Sequence, residues 1–259
     1  MSVPGVICEI GLNHFGDPFY ADEYLDALLA IRPYGIAFQV LEEDFYQRKG
    51  WLKLDDGYYR EAVARVQRER ISFGIALADP SRVDFFNSLG VDFYKILSKD
   101  IGHKELTTKV LRTGKPGFVS TGKSNIEEVS VFVEENEEFK GQIVLNHTRL
   151  DRNLSRVNLR AISVMQHRFG LPVSFGYHSV NLNVLYAAIA FEPSHLFFFV
   201  RGSRRGCHPD EEHAIPLSVC ETVIRNLREL FSALGDGVKT KIVGNDWERQ
   251  NESRIAVRE

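Results

Sequence analysis

Cysteine, methionine and tryptophan are all scarce in this 259-residue chain, with three, two and two copies. Cys8, Cys207 and Cys220 are odd in number and show neither the close spacing of zinc ligands nor a disulfide framework, which points to a reducing, cytoplasmic setting. Cys8 sits in an apolar run and reads as a small core residue rather than a nucleophile. No apolar run approaches the roughly 20 residues of a membrane span. Met1-Ser2-Val3-Pro4 has neither the charged nor the apolar region of a signal peptide, so neither membrane nor export is expected. Charge of one sign is also lacking. The 32 basic and 35 acidic side chains leave −3, which gives no reason to expect nucleic acid or an anionic membrane as partner. A G-x-G-x-x-G after the first apolar run is absent, as is a P-loop, which weakens a nucleotide-binding open sheet.

What is present is a repeating unit. Short apolar runs fall at residues 6–12, 35–41, 71–78, 93–97, 117–122, 142–146, 172–177 and 195–200. Between them, apolar residues recur at helical spacing over 20–31, 58–70, a segment ending near 90, 103–112, 125–137, 158–169, 183–191 and 217–234. One excursion, 42–57, is long and rich in charge and aromatic rings. Strand and helix alternate eight times with mostly short loops, which predicts an α/β fold: a closed parallel (β/α)8 TIM barrel, a single domain over residues 1–235, with 236–259 as a tail. A doubly wound open sheet is the alternative.

In a parallel barrel the polar residues at strand ends share one mouth. Those residues are Glu9 and Asn13, Gln39, Lys95 with Ser98 and Asp100, Ser120 and Thr121, His147, His178, and Arg201 with Arg204 and Arg205. Lys95 interrupts an apolar strand, and a lysine there is costly unless it is paired or working. Ser120-Thr121-Gly122 offers hydroxyls and backbone N–H groups to an anion. Together the set fits a small anionic, carbonyl-bearing substrate. Plainer alternatives stand beside it: a structural ion pair for Lys95, hydrogen-bonded core positions for His147 and His178, and a solvated arginine loop paired with Asp210, Glu211 and Glu212.

At these positions the chain resembles the N-acetylneuraminate (sialic acid) synthase family. Glu9-Ile10-Gly11-Leu12-Asn13-His14-Phe15-Gly16 resembles the family opening E-I-G-x-N-H-x-G. Tyr94-Lys95-Ile96-Leu97-Ser98-Lys99-Asp100 resembles Y-K-I-x-S-G-E, and Gly114-Lys115-Pro116 and Ser120-Thr121-Gly122 match G-K-P and S-T-G. Val144-Leu145-Asn146-His147-Thr148 keeps the histidine of V-L-L-H-C-T, Val157-Asn158-Leu159-Arg160-Ala161-Ile162 matches V-N-L-R-A-I, and the stretch ending at His178 aligns with L-P-V-G-Y-S-D-H-T. The resemblance covers almost the whole chain. It implies a (β/α)8 barrel, usually a homodimer. The family condenses phosphoenolpyruvate with an amino sugar or sugar phosphate, commonly N-acetylmannosamine or its phosphate. It uses a divalent metal, Mn or Mg. On that resemblance Lys95 would hold the anionic end of phosphoenolpyruvate, Glu9 and Asp100 would orient the acceptor or move protons, and His178 would hold the metal. Asn13, Gln39, Ser98, Ser120, Thr121, His147, Arg201 and Arg204 would bind substrate.

The chain also departs from the family. Ala37 stands where the family has a lysine, residues 75–78 lack the hydroxyl of S-T-P-F, Leu150-Asp151-Arg152 replaces S-Y-P, and Tyr177 replaces the aspartate before the strand-seven histidine. Arg201 falls where the second metal histidine belongs, so a degraded metal site is expected. Residues 236–259 resemble only the linker that precedes the family's C-terminal antifreeze-like domain, and that domain is not expected here. Three activities follow: a divergent synthase in which Arg201 and Arg204 replace lost anion contacts, a Schiff-base aldolase or lyase using Lys95, or a non-catalytic relative that binds a sugar acid or a protein.

Overall fold

A computed structural model of the protein describes residues 4–150, 153–204 and 206–239. Eight strands run in parallel: β1 (Gly5–Gly11), β2 (Gly35–Val40), β3 (Ser72–Leu77), β4 (Phe93–Ile96), β5 (Gly117–Ser120), β6 (Ile143–Thr148), β7 (Val173–Tyr177) and β8 (His195–Arg201). Each pairs with the next, and β8 pairs back onto β1 from Gly5↔His195 to Glu9↔Phe199, which closes the barrel. Outside it lie α1 (Pro18–Ile31), α2 (Glu43–Arg48), α3 (Asp56–Arg68), α4 (Val83–Ser88), α5 (Lys104–Arg112), α6 (Ile126–Glu135), α7 (Ala161–Phe169), α8 (Asn183–Ala188) and α9 (Leu217–Leu234). This is the (β/α)8 architecture the alternating pattern predicts. No helix among the described residues is long and apolar enough to cross a membrane.

Local chemistry sets the boundaries. Asp17 accepts the Phe19 N–H at 2.9 Å and Pro18 opens α1, a favourable N-terminus. Asn125 and Glu128 cap α6 reciprocally. The segment expected to be helical from 158 turns helical only at Ala161, because Asn158 holds a left-handed φ of 51°. The 42–57 excursion contains α2 and a 3-10 turn, Gly50–Leu52. A two-residue strand, β9 (Ile215–Pro216), pairs with Val200 and Arg201 before α9; so short a strand leaves no periodic signal. The expected tail lies beyond α9, and residues 240–259 fall outside the described ones.

The barrel interior follows from the two-residue period of its strands. Ile7, Ala37, Phe93, Phe118, Val144 and Phe197 form one apolar cluster inside the barrel. Gly74 faces the Phe93 ring so closely that a Cβ there would collide with it. Two residues beyond Ile7 comes Glu9, and two beyond Phe93 comes Lys95, so the same alternation turns both charges inward above an apolar floor. The Lys95 Nζ meets both Glu9 oxygens, at 2.6 and 2.7 Å. Each side chain is 3% exposed.

Breaking such a pair strands a buried charge. Glu9→Leu or Lys95→Met alone should lower the unfolding free energy by roughly 3–5 kcal/mol, and the double variant should recover most of it. Denaturant titration checks this; a double variant as unstable as the sum of the singles would sink it. A second expectation concerns acid. Burial pushes His14 down to about 4 and His195, wedged between Tyr34 and Phe118, also to about 4. The unfolded chain therefore takes up protons first as pH falls below 6.5, so stability declines from about pH 6.5 to 4, by up to about 1.4 kcal/mol per pH unit for a fully buried histidine. His14→Asn should flatten that dependence in melts recorded across this range, and an unchanged slope would remove His14 from the account.

Candidate active site

A cavity of about 270 Å³ opens at the carboxyl ends of the strands, the end where barrels of this kind carry their chemistry. Of the residues expected from sequence, Gln39, Lys95, Ser98, Ser120 and His178 line it. Glu9 stands behind Lys95 as its counter-charge, and the ammonium lies 4.9 Å from the Phe197 ring centroid and 5.7 Å from that of Phe199. Ser98 Oγ accepts the Gly122 N–H at 3.2 Å, and Ser120 Oγ accepts from Asn146 Nδ2 at 3.2 Å, so both hydroxyls are held in place. Lys99 also lines the cavity and is paired with Glu42 and Asp100. Lys123, just past Ser120-Thr121-Gly122, lines it with no carboxylate partner among the described residues.

Like Lys99 and Lys123, two further lining residues were not among those expected: Asp210 and His213, from the loop between β8 and α9. Asn13 fixes this loop. Its Nδ2 donates to the Val200 carbonyl at 2.8 Å and its Oδ1 accepts the Asp210 N–H at 3.1 Å. Tyr24 Oη accepts the Gly202 N–H at 2.7 Å, and Tyr20 Oη lies 2.8 Å from His208 Nε2. Burial first, then the Glu9 charge, pushes the Asp210 carboxyl up to about 7 against the opposing pull of Lys95. His213 Nε2 is buried without a hydrogen-bond partner, and burial lowers its ring to about 4. His178 is lowered to about 3 by burial, then by the Lys95 and His213 charges. The site therefore combines an ion pair, one carboxyl poised near neutrality, two neutral imidazoles and one unpaired ammonium. The signal that could have found the missed pair was the cluster His208-Pro209-Asp210-Glu211-Glu212-His213, acids and imidazoles packed directly behind the arginine loop.

Other expected residues lie elsewhere. Asn13 is fully buried and braces the loop rather than facing the cavity. Asp100, 7% exposed, accepts from Lys99 Nζ at 3.1 Å, and burial raises its carboxyl; it does not line the cavity. Thr121 and His147 wall a neighbouring cleft, Thr121 donating to the Asn146 carbonyl and His147 Nε2 lying 2.9 Å from that of Val157. Arg201 ends β8 with a buried, unpartnered Nε, outside the cavity wall. Arg204 also lies elsewhere: its guanidinium pairs with Asp17 and Glu23 and lies 4.0 Å from the Tyr20 ring centroid, so it clamps the loop to α1 and does not line the cavity. The pairing with Asp210, Glu211 and Glu212 considered above is not the one Arg204 makes. Arg205 lies outside the described residues.

The donor set bears on the metal that the resemblance implies. Among the described residues no three His, Cys, Asp or Glu side chains are grouped to hold an ion. His178 and His213 come within 4.8 Å, centroid to centroid, and Thr148 Oγ1 lies 2.6 Å from His178 Nδ1, which leaves Nε2 as the available ring nitrogen. Three protein ligands are the usual complement of a catalytic zinc-type site, and among the described residues this set falls short of that number.

Comparison with known proteins gives a consistent answer. The chain is 28% identical to the uncharacterized protein MJ1065 of Methanocaldococcus jannaschii, over 90% of this chain and 73% of that protein. It is 23% identical to the N,N'-diacetyllegionaminic acid synthase of Campylobacter jejuni, over 90% and 78% of the two chains. The crystal structure of the N-acetylneuraminic acid synthetase of Leptospira borgpetersenii superposes with a TM-score of 0.86 at 20% identity, covering 99% of this chain and 93% of that one. The NeuB family profile matches residues 22–239, most of the barrel. The chain belongs to the NeuB family.

Proposed function

We propose that this protein is a sugar-acid synthase, which joins phosphoenolpyruvate to the aldehyde of an amino sugar and releases inorganic phosphate. Family membership and the two synthases it resembles support the reaction class. The observation that carries the chemistry is Asp210, a carboxyl poised near pH 7 beside the Glu9–Lys95 pair in a cavity that also holds an unpaired lysine. Carbon 3 of the enol phosphate attacks the aldehyde carbon, and Asp210 gives its proton to the aldehyde oxygen as the carbon–carbon bond forms. Water then adds at carbon 2, the bond from carbon 2 to the phosphate oxygen breaks, and phosphate leaves a 2-keto acid. The Asp210 carboxylate left by the first step takes one proton of that water, and the other leaves with the phosphate as the carbon 2 hydroxyl becomes the ketone. Lys123 holds the phosphate end and the Lys95 ammonium faces the carboxylate. His213 Nε2, which has no hydrogen-bond partner in the protein, orients the attacking water.

The Glu9 grip weighs against a Schiff-base reading. A lysine must be a free amine to attack a carbonyl, and an ammonium held by both oxygens of a buried carboxylate is the opposite state. Two measurements test the proposal. Phosphoenolpyruvate with N-acetylmannosamine, or a panel of amino-sugar aldehydes, should release inorganic phosphate only when the aldehyde is present; silence across the panel overturns it. Asp210→Asn should cut kcat about 10²–10⁴-fold. Because the carboxyl is raised, it is protonated below about pH 7 and ionised above, so wild-type kcat should fall as pH rises through about 7. A flat profile there would return Asp210 to a structural role.

A further inference from the structure

Helices α6 and α7 lie side by side on the outside of the barrel. Ile126 and Val129 of one, and Val164 and Met165 of the other, line the hollow between them. Their outward faces carry one pattern with opposite charge. On α6, Glu127, Val131 and Glu134 recur at helical spacing, and all three are exposed. On α7 and its cap residue, Arg160, Val164 and Arg168 do the same. Val131 is 52% exposed and Val164 54%, so each stripe holds an apolar side chain in water between two charges. None of the four charges has an ion-pair partner among the described residues, and the acids do not meet the bases across the hollow. Arg32, Arg65, Arg82 and Arg204, by contrast, each meet a carboxylate of their own chain. The spacing also matches. At about 1.5 Å of rise per residue, Glu127 and Glu134 stand about 10 Å apart and Arg160 and Arg168 about 12 Å.

We propose that this face binds a second copy of the chain, about a two-fold axis that runs along the hollow between the two helices. That axis exchanges the stripes, so α6 of one protomer faces α7 of its partner. Glu127 then stands opposite the partner's Arg160, Glu134 opposite the partner's Arg168, and Val131 opposite the partner's Val164. Every contact occurs twice, as in any isologous pair. An axis across the helices would set acid on acid and base on base, so charge selects the first arrangement. A purely basic or purely acidic partner would use one stripe and be repelled by the other, whereas a second copy satisfies both. The two valines lie at the centre and the charges around them, the usual layout of an apolar interface core with a polar rim. Two short stripes make a small face, so the association belongs with weak, transient interfaces and is sensitive to salt. The inference does not depend on the reaction proposed above.

Sedimentation velocity of the full chain across a range of concentrations tests it. At low salt the protein should show a concentration-dependent monomer–dimer equilibrium, which moves toward monomer as salt rises from about 0.05 M to about 0.5 M. Glu134→Arg and Arg168→Glu each reverse one exposed charge, so both should melt with the wild type. Each sets like charges together twice per dimer and should weaken association roughly ten- to hundredfold. Combining both substitutions in one chain exchanges the signs and makes every contact attractive again, so the double variant should associate like the wild type. An equimolar mixture of the two single variants should also associate more tightly than either alone. A wild type that is monomeric at every concentration overturns the proposal. Single variants that dimerise as tightly as the wild type overturn it as well, since they place the interface on another face. A double variant no tighter than the singles does the same, because the loss would then come from local structure and not from pairing.

Discussion

Two opposite charges inside a β-barrel shape everything around them. Glu9 on β1 and Lys95 on β4 come from strands three apart around the ring, and their heads meet at 2.6 and 2.7 Å. Neither charge could stay ionised there alone, because burial of an unpaired charge costs several kcal/mol or more. The floor beneath them is therefore sealed: Ile7, Phe93, Phe118 and Phe197 fill the layer below and keep water out from that side. The ring faces of Phe197 and Phe199 take the flank of the ammonium. Residual charge can be read only upward, toward the mouth, and Asp210 stands there with its carboxyl raised partly by Glu9. The ion pair thus sets the proton affinity of the group above it.

That group sits on a loop, and the loop is held by parts distant in sequence. Asn13 joins the ends of β1 and β8 to Asp210, while Tyr20 and Tyr24 of α1 hold the Gly202–His208 stretch by their hydroxyls. Arg204 adds an ion pair to Asp17 and Glu23 on the same side. Few contacts pin Asp210 directly; its position depends on a second layer of polar residues, and the opening motif around Asn13 is used for structure as much as for the site.

Alternation and helical spacing made the barrel legible before any coordinates. Lys95 stands out as a lysine inside an apolar strand, and Glu9, Gln39, Ser98, Ser120 and His178 stand out as polar residues at strand ends. Asp210 and His213 do not, because they lie in an irregular loop fixed by a two-residue strand and by hydrogen bonds reaching back nearly 200 residues, such as that of Asp210 with Asn13. Arg204 was visible as part of a basic cluster, but its partner Asp17 is 187 residues away, and no local pattern records which carboxylate a surface arginine will choose. Thr121 and His147 were rightly placed at strand ends, yet strand-end position does not say to which of two adjacent hollows a side chain turns.

The distribution of charge around the mouth has a direction. Glu9 lies on β1 and Asp210 just after β8, neighbours across the seam that closes the barrel. Lys123 follows β5, and Arg149, Arg160 and Arg168 follow β6, on the far side of the ring. In an eight-stranded barrel β5 stands opposite β1, so acid and base face each other across the opening. On the proposed reaction, such a field would orient a substrate carrying an anionic group and a carbonyl before any short contact: the anion is drawn to the β5–β6 side and the carbonyl oxygen is left toward Asp210. Clefts focus field lines of this kind. The arginines of the loop after β8 would have worked against that arrangement by placing positive charge beside the acid, and the pairing of Arg204 with Asp17 and Glu23 withdraws one of them from it.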